Sequence, residues 1–198
     1  MEWIVFDYAG VISHAPPEEA GALLPPAAGV GPERFWPVYW AHREPYDLGA
    51  VTAAEFWDSV LGRLGVPARS DLVELLVTLD VRTWTHINGD TVAVLTELAE
   101  EGARLALLSN APVELARMVD GLPLADLFRH RLFSADLRLA KPDPEVFRSL
   151  VARLGAEPGD LLFVDDRAEN VRAAEVLGIR SVLFTGAAPL RADLARLR

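Results

Sequence analysis

Apolar positions along the chain follow two rhythms. Short β-favouring runs stand at 3–6, 104–108, 130–133, 161–164 and 181–184, each brief enough for a buried strand. From residue 84 onward these runs alternate with stretches whose apolar residues recur at helical spacing, at 90–101, 112–119, 144–154 and 168–177, with a short helical tail at the end. Gly102, Gly155 and Gly178 follow the last periodic residue of three of these stretches, where a left-handed C′ residue ends a helix. Pro112 suits a first helical turn. Strands separated by helices predict parallel βαβ units in an α/β fold. Between the first strand and residue 84 the pattern is different. A connector rich in Pro, Ala and Gly at 14–31, broken at its prolines, precedes helical patterns at 32–42, 52–64 and 70–79. Thr52 with Glu55 forms a capping-box signature, and Ser70 is read as a helix cap. The first strand is an orphan unless this helical stretch is an insertion. The expected architecture is therefore a three-layer, Rossmann-like parallel-sheet core (1–13 and 84–198) carrying an inserted small α-helical cap (14–83). A cap beside strand ends predicts a lid over a site.

The strand ends are where the polar residues matter. The first run, WIVF, stops at Asp7, and Gly10 permits a tight turn directly after it. The second ends in Ser109-Asn110, the third leads to a loop carrying Lys141, and the fourth ends in Asp165-Asp166. In an open parallel sheet, residues past the carboxyl ends of the strands line the ligand crevice. These residue types match what phosphoryl transfer demands. A carboxylate attacks phosphorus, hard oxygen ligands hold Mg²⁺, and a hydroxyl, amide or lysine clamps the remaining phosphoryl oxygens. Three carboxylates converging on one crevice repel at roughly 4 kcal/mol per pair, at about 4 Å and an effective dielectric near 20. Lys141 alone does not balance Asp7, Asp165 and Asp166, whereas a divalent cation does. His and Cys are absent from these motifs, which disfavours zinc.

Composition narrows the classes further. A net charge of −10 over 198 residues argues against a nucleic-acid or anionic-membrane surface. With no cysteine, disulfides and thiol catalysis are excluded. No apolar run spans a bilayer and no basic n-region precedes one, so a cytoplasmic protein, monomer or homodimer, acting on a small phosphorylated metabolite is the expectation.

The order FDYAGV, LLSNA, KPDPEVF and FVDDRAENVRAAEVLGI resembles the motifs of the haloacid dehalogenase-like (HAD) hydrolase superfamily, with the cap where subfamily I proteins insert it. The turn after Asp7, LSN, and a Gly49 to Phe56 element of the form G-x-(I/V)-(S/T)-x-x-x-F are similar to one branch, the bacterial glucose-1-phosphate phosphatases and the N-terminal phosphatase domain of soluble epoxide hydrolases. The resemblance implies Asp7 as nucleophile and metal ligand, the Ala9 carbonyl as a second metal ligand, and Asp166 as a direct one, with Asp165 nearby or acting through water. It implies Ser109, Asn110 and Lys141 as the phosphate clamp, Lys141 also steadying the nucleophile. The implied activity is a Mg²⁺-dependent phosphatase working through an aspartyl-phosphate, a sugar phosphate being one candidate substrate. One position departs. Phosphatases of the superfamily usually carry a second aspartate where this chain has Ala9, and a missing general acid/base forfeits on the order of 10²–10⁴ in rate. Ala9 thus leaves room for a weakened relative that binds a phosphorylated ligand or a protein partner. The resemblance keeps hydrolysis open nonetheless, since glycine occurs at this position in the glucose-1-phosphate branch. A good leaving group needs less protonation, and a water or substrate hydroxyl could stand in for the acid. 2-Haloacid dehalogenation is disfavoured by the extra carboxylates and by Ala9 and Val11, where tyrosine and threonine are expected.

The remaining polar and aromatic residues have plainer readings. Asn170 is expected to support the site's structure. His14, Arg43, Tyr46 and Asp47 are read as solvent-facing or packed between cap and core, and Trp36, Trp40 and Trp57 as cap core.

Overall fold

The computed structural model describes residues 3–14 and 22–197. Strands β1 (Trp3–Phe6), β2 (Arg104–Ser109), β3 (His130–Phe133), β4 (Leu161–Asp165) and β5 (Arg180–Leu183) form one sheet in the order β3-β2-β1-β4-β5. Every neighbouring pair is parallel. β1 shows why both faces must be covered. Its alternate residues Ile4 and Phe6 enter one apolar cluster, and Trp3 and Val5 enter another on the opposite face. From β1 the sheet grows outward through β2 to β3, then on the other side through β4 to β5. The topology reverses at β1, so its carboxyl end opens onto the crevice where such sheets bind ligands.

The chain between β1 and β2 holds α1 (Leu24–Ala27), α2 (Pro32–Asp47), α3 (Ala53–Leu64) and α4 (Ser70–Thr83), followed by α5 (Gly89–Glu100). Helices α1 to α4 share a core of their own around Phe35, Tyr39, Tyr46, Phe56, Trp57 and Leu76. The remaining helices are α6 (Val113–Asp120), α7 (Ser134–Leu137), α8 (Pro144–Leu154), α9 (Ala168–Val176) and α10 (Ala187–Leu197). Helices α5, α6 and α10 cover one sheet face with Leu95, Leu115 and Leu190, and α8 and α9 cover the other with Phe147, Leu150 and Ala174.

Departure and return of the helical unit are tied together. Ser13 bridges Ile87, His14 N–H donates to the His86 carbonyl (2.8 Å), and Asn88 N–H donates to the Ile12 carbonyl (2.8 Å). The unit then rests on the sheet domain through particular contacts. Tyr46 Oη donates to Glu114 Oε2 at 2.9 Å, Ser134 Oγ donates to the Asp47 carbonyl, and Arg138 donates to the Gly49 carbonyl. Gly49 combines φ +63° with a backbone approach so close that a Cβ there would lie 2.9 Å from the Ala135 carbonyl oxygen.

Several local expectations need correction. Helix α2 does not end at His42 but continues to Asp47 with Pro37 and Pro45 inside it. An interior proline costs about 3 kcal/mol, and here the last turns are held by the buried side chains of Arg43 and Tyr46. Ser70 is not the cap of α4. Arg69 occupies that position and Ser70 is the first helical residue. Asn88 caps α5, accepting from Thr91 N–H at 3.2 Å, and Pro112 sits one residue before α6. Of the expected connector at 14–31, residues 15–21 lie outside the described residues, and its second Pro-Pro pair lies within α1. The Thr52–Glu55 capping box is present in full.

Candidate active site

Strand ends supply the site, and packing decides which of their side chains remain free. Asp7 follows β1 as a buried carboxylate. Its Oδ1 accepts the Tyr8 N–H at 2.7 Å and lies 2.8 Å from Lys141 Nζ, so both contacts fall on one oxygen. Lys141 reaches in from the loop after α7 and is itself buried. Its ammonium also contacts Asp165 Oδ2 at 2.8 Å and donates to the Leu108 carbonyl at 2.9 Å, which uses all its donors. The backbone of Lys141 is clamped by one side chain. Asn110 Nδ2 donates to its carbonyl (2.8 Å), and Asn110 Oδ1 accepts its N–H (2.9 Å). Asn110 therefore fixes where the lysine enters.

Asp165, at the end of β4, is fully buried and fully engaged. Besides Lys141 it accepts Asn170 Nδ2 at 3.0 and 3.1 Å and the Arg167 N–H at 2.8 Å, at the start of α9. Asn170 thus has the supporting role expected of it. Asp166 is solvent-accessible and sits over Gly10, where a Cβ would lie 2.2 Å from Asp166 Oδ2. Gly10 also has φ +82°, so both the turn and the neighbouring carboxylate require glycine. The turn's hydrogen bonds end on the carbonyls of Tyr8 and Ser13, and Ala9 lines the cavity between them.

Electrostatics follow from this crowding. Burial, reinforced by Asp165 and Asp166, pushes Asp7 up to about 7 against the pull of Lys141. Asp166 is raised by burial and by Asp165. Burial pulls Lys141 down, but Asp7 and Asp165 more than offset it and hold the ammonium charged. Oxygen atoms of Asp7, Asp165 and Asp166 all lie within 4.8 Å of one another. An all-oxygen cluster with too little positive charge fits a hard divalent cation such as Mg²⁺. Ser109 Oγ, at the end of β2, is buried with no hydrogen-bond partner among the described residues. A buried hydroxyl without a partner costs about 1–3 kcal/mol, which a ligand oxygen would recover.

The cavity here is about 210 Å³ and is lined by Asp7, Ala9, Asn110, Lys141 and Asp166 from the sheet domain, and by Trp40, Arg43 and Asp47 from the helical unit. Of the two readings open for Arg43 and Asp47, solvent-facing or packed between cap and core, the structure favours the second. Arg43 is buried, with Nε 2.7 Å from Asp47 Oδ1 and Nη1 2.8 Å from Asp80 Oδ2, and it donates to Tyr39 Oη. Tyr39 Oη in turn donates to Asp80 Oδ1 at 2.6 Å. One guanidinium thus faces two carboxylates, and burial raises Asp47 to about 6. Trp40 departs from the core reading. It is 53% exposed, whereas Trp57 is fully buried. The sequence held no signal for these contacts beyond an arginine, a tyrosine and an aspartate at helical spacing.

Comparisons with known proteins bear on the family and the fold. The haloacid dehalogenase-like hydrolase family profile matches residues 1–178. A phosphoglycolate phosphatase of Pectobacterium atrosepticum is 27% identical over 201 residues, 92% of this chain and 79% of the relative. Flavin mononucleotide hydrolase 1 of Arabidopsis thaliana is 33% identical over 104 residues, 52% of this chain and 42% of the relative, so this match spans less than half the relative's length. A HAD family enzyme of Bacteroides thetaiotaomicron, solved with magnesium and inorganic phosphate, superimposes with a TM-score of 0.76 at 21% identity, covering 92% of this chain and 93% of that one. A 2-haloacid dehalogenase of Pseudomonas syringae pv. tomato superimposes with a TM-score of 0.72 at 19% identity, over the whole of both chains. At these identities the two structures establish the fold alone.

Proposed function

The chain belongs to the haloacid dehalogenase-like hydrolase family, and we propose that within it this protein is a Mg²⁺-dependent phosphatase of a small organic phosphomonoester, with Asp7 as nucleophile. The observation that carries the reading is Asp7 itself, a buried carboxylate held through one oxygen at the carboxyl end of the central strand, beside Asp166 and Lys141. Asp7, Asp166 and the Ala9 carbonyl would hold the metal, with Asp165 supporting from behind through Lys141. Mg²⁺ bound there would neutralise the carboxylates and withdraw charge from the phosphoryl oxygens.

The chain's own residues do the rest. Tyr8 N–H and Lys141 fix Asp7 Oδ1, leaving Oδ2 with its lone pairs for attack on phosphorus. Ser109 Oγ donates to a phosphoryl oxygen and so acquires the partner it lacks. Lys141 has no donor to spare, so its effect on the phosphoryl group is electrostatic, and Asn110 acts by fixing the lysine's backbone. The phosphatases among the relatives support this reading, and the further carboxylates Asp165 and Asp166 weigh against a dehalogenase, whose displacement at carbon needs no metal. The test is phosphate release from para-nitrophenyl phosphate with Mg²⁺ and with EDTA. Metal-dependent release that is lost in Asp7→Asn is expected. Release that survives both EDTA and Asp7→Asn would sink the proposal.

A further inference from the structure

A second, larger cavity of about 570 Å³ adjoins the catalytic one. Its walls are Leu24, Pro25, Pro26, Trp36, Trp40 and Trp84, and two of these, Trp40 and Trp84, also line the catalytic cavity. Trp36 and Trp40 stack with centroids 6.4 Å apart and planes 27° apart, presenting a broad indole surface. A large, mostly apolar hollow with aromatic walls, continuous with the catalytic cavity through two shared tryptophans, is the make-up of a ligand site. An alcohol of a few carbons fits the smaller cavity and leaves the larger one idle.

A separate observation concerns the leaving group. Ala9 offers no proton where cleavage of the ester bond would release an alkoxide. An aliphatic alcohol has a pKa near that of water, about 16, and its alkoxide leaves poorly without a general acid. A phenol has a pKa of about 10, and its anion leaves without one. The cavity asks for a flat ring, and Ala9 asks for the ester oxygen to be on it.

We propose that the substrate is an aryl phosphomonoester, its phosphate at Asp7 and Ser109 and its ring system in the larger cavity against Trp36, Trp40 and Trp84. This rests on the phosphatase reading and sets sugar phosphates aside. Asp7 attacks phosphorus, a bond from its carboxylate oxygen to phosphorus forms, and the bond from phosphorus to the aryl oxygen breaks. The aryloxide departs with the electron pair and takes a proton from solvent. Water then attacks phosphorus and gives up a proton to solvent, the bond from phosphorus to the Asp7 oxygen breaks with its electron pair returning to the carboxylate, and inorganic phosphate leaves.

The test separates binding from turnover. Titration calorimetry with Mg²⁺ and the Asp7→Asn protein compares 1-naphthyl phosphate, 1-naphthylmethyl phosphate and glycerol 2-phosphate. Steady-state kinetics of the wild type use the same three. Both naphthyl esters are expected to bind at least about tenfold more tightly than glycerol 2-phosphate. Trp40→Ala, or Trp36→Leu should the first variant misfold, is expected to remove most of that preference. The kcat/KM for the aryl ester, which reports the step in which the leaving group departs, should exceed that for its naphthylmethyl counterpart by about 100-fold or more. Equal affinities for the three esters, or a preference untouched in both tryptophan variants, would overturn the ring site while leaving an active phosphatase intact. Equal kcat/KM for the two naphthyl esters would overturn the aryl assignment. Tight naphthyl binding with no hydrolysis of any ester would overturn the phosphatase reading and uphold the ring site.

Discussion

Gly10→Ala isolates the contribution of Asp166. Two costs follow from the structure. The backbone cost comes from φ +82°, a left-handed conformation that penalises an L side chain by about 1–2 kcal/mol. For a domain of this size, where each kcal/mol lowers Tm by about 2–4 °C, that is a fall of about 2–8 °C. The second cost falls on the site. The new Cβ would lie 2.2 Å from Asp166 Oδ2 and 2.6 Å from its carboxyl carbon, so the carboxylate must swing away. Being the end of a solvent-accessible side chain, it moves cheaply, and the loss appears as metal affinity rather than stability. Loss of an outer-sphere partner alone typically costs about 10–100-fold in affinity, so displacing a direct ligand should weaken Mg²⁺ by at least about tenfold. Gly102→Ala is the control, because φ is +84° there and nothing lies within 4 Å of the added Cβ. Thermal unfolding without metal, followed by titration of activity and of Tm with Mg²⁺, separates the two costs. Both variants should lose similar stability, and only Gly10→Ala should shift the Mg²⁺ midpoint. Indistinguishable Mg²⁺ dependence in the two variants would refute the assignment of Asp166 as a ligand.

Three further outcomes follow from the same geometry. Lys141→Ala strands Asp7 and Asp165 as buried carboxylates without their cation, which should cost about 3–5 kcal/mol in urea denaturation; a loss below about 1 kcal/mol would show that the lysine does not hold them. Ala9→Asp should raise kcat/KM for 1-naphthylmethyl phosphate by about 10²-fold or more and leave that for 1-naphthyl phosphate nearly unchanged; an unaltered ratio of the two kcat/KM values would mean that the proton comes from elsewhere. Asp47, raised by burial to about 6 while facing Arg43 and, beyond it, Asp80 and Tyr39, binds a proton in the folded state that the unfolded chain has released. Its contribution is therefore fully present below about pH 4 and declines as pH rises through about 6, by up to about 3 kcal/mol. Asp47→Asn should flatten that part of the stability profile, and parallel profiles for variant and wild type would refute the assignment.

How much of this could be read from the chain depends on the range of the interactions. β1 and the residue that ends it are adjacent in sequence, so an apolar run stopped by Asp7 discloses both the strand and its charged end. The same holds for Ser109 at the end of β2, Asp165 at the end of β4, and the glycines that close α5, α8 and α9. Arg43 illustrates the opposite case. Its partner Asp80 lies on another helix, and its place before Pro45 suggests an exposed, ending helix. Burial of Arg43 and Tyr46 carries α2 through that proline, and nothing local announces it. Asn110 is intermediate. Its position was legible, but its grip on the Lys141 backbone needed the loop's path.

This division of legible from hidden residues coincides with a division of labour. The phosphate end of the site is built from strand termini, whose positions the sheet register dictates, so its chemistry can be read residue by residue. The other end is built where helices α1, α2 and α4 meet Trp84, and its shape exists only once they pack. Ala9 connects the two. A phosphatase that kept an acid at this position could cleave any alcohol its phosphate end could reach, and its helical unit would need only to exclude water. With Ala9 in that position, the range of cleavable alcohols is restricted by leaving-group pKa before any contact is made. Selection by the helical unit then has to operate on aromatic esters, and the indole-lined hollow beside the catalytic cavity is where the chain's structure provides for it.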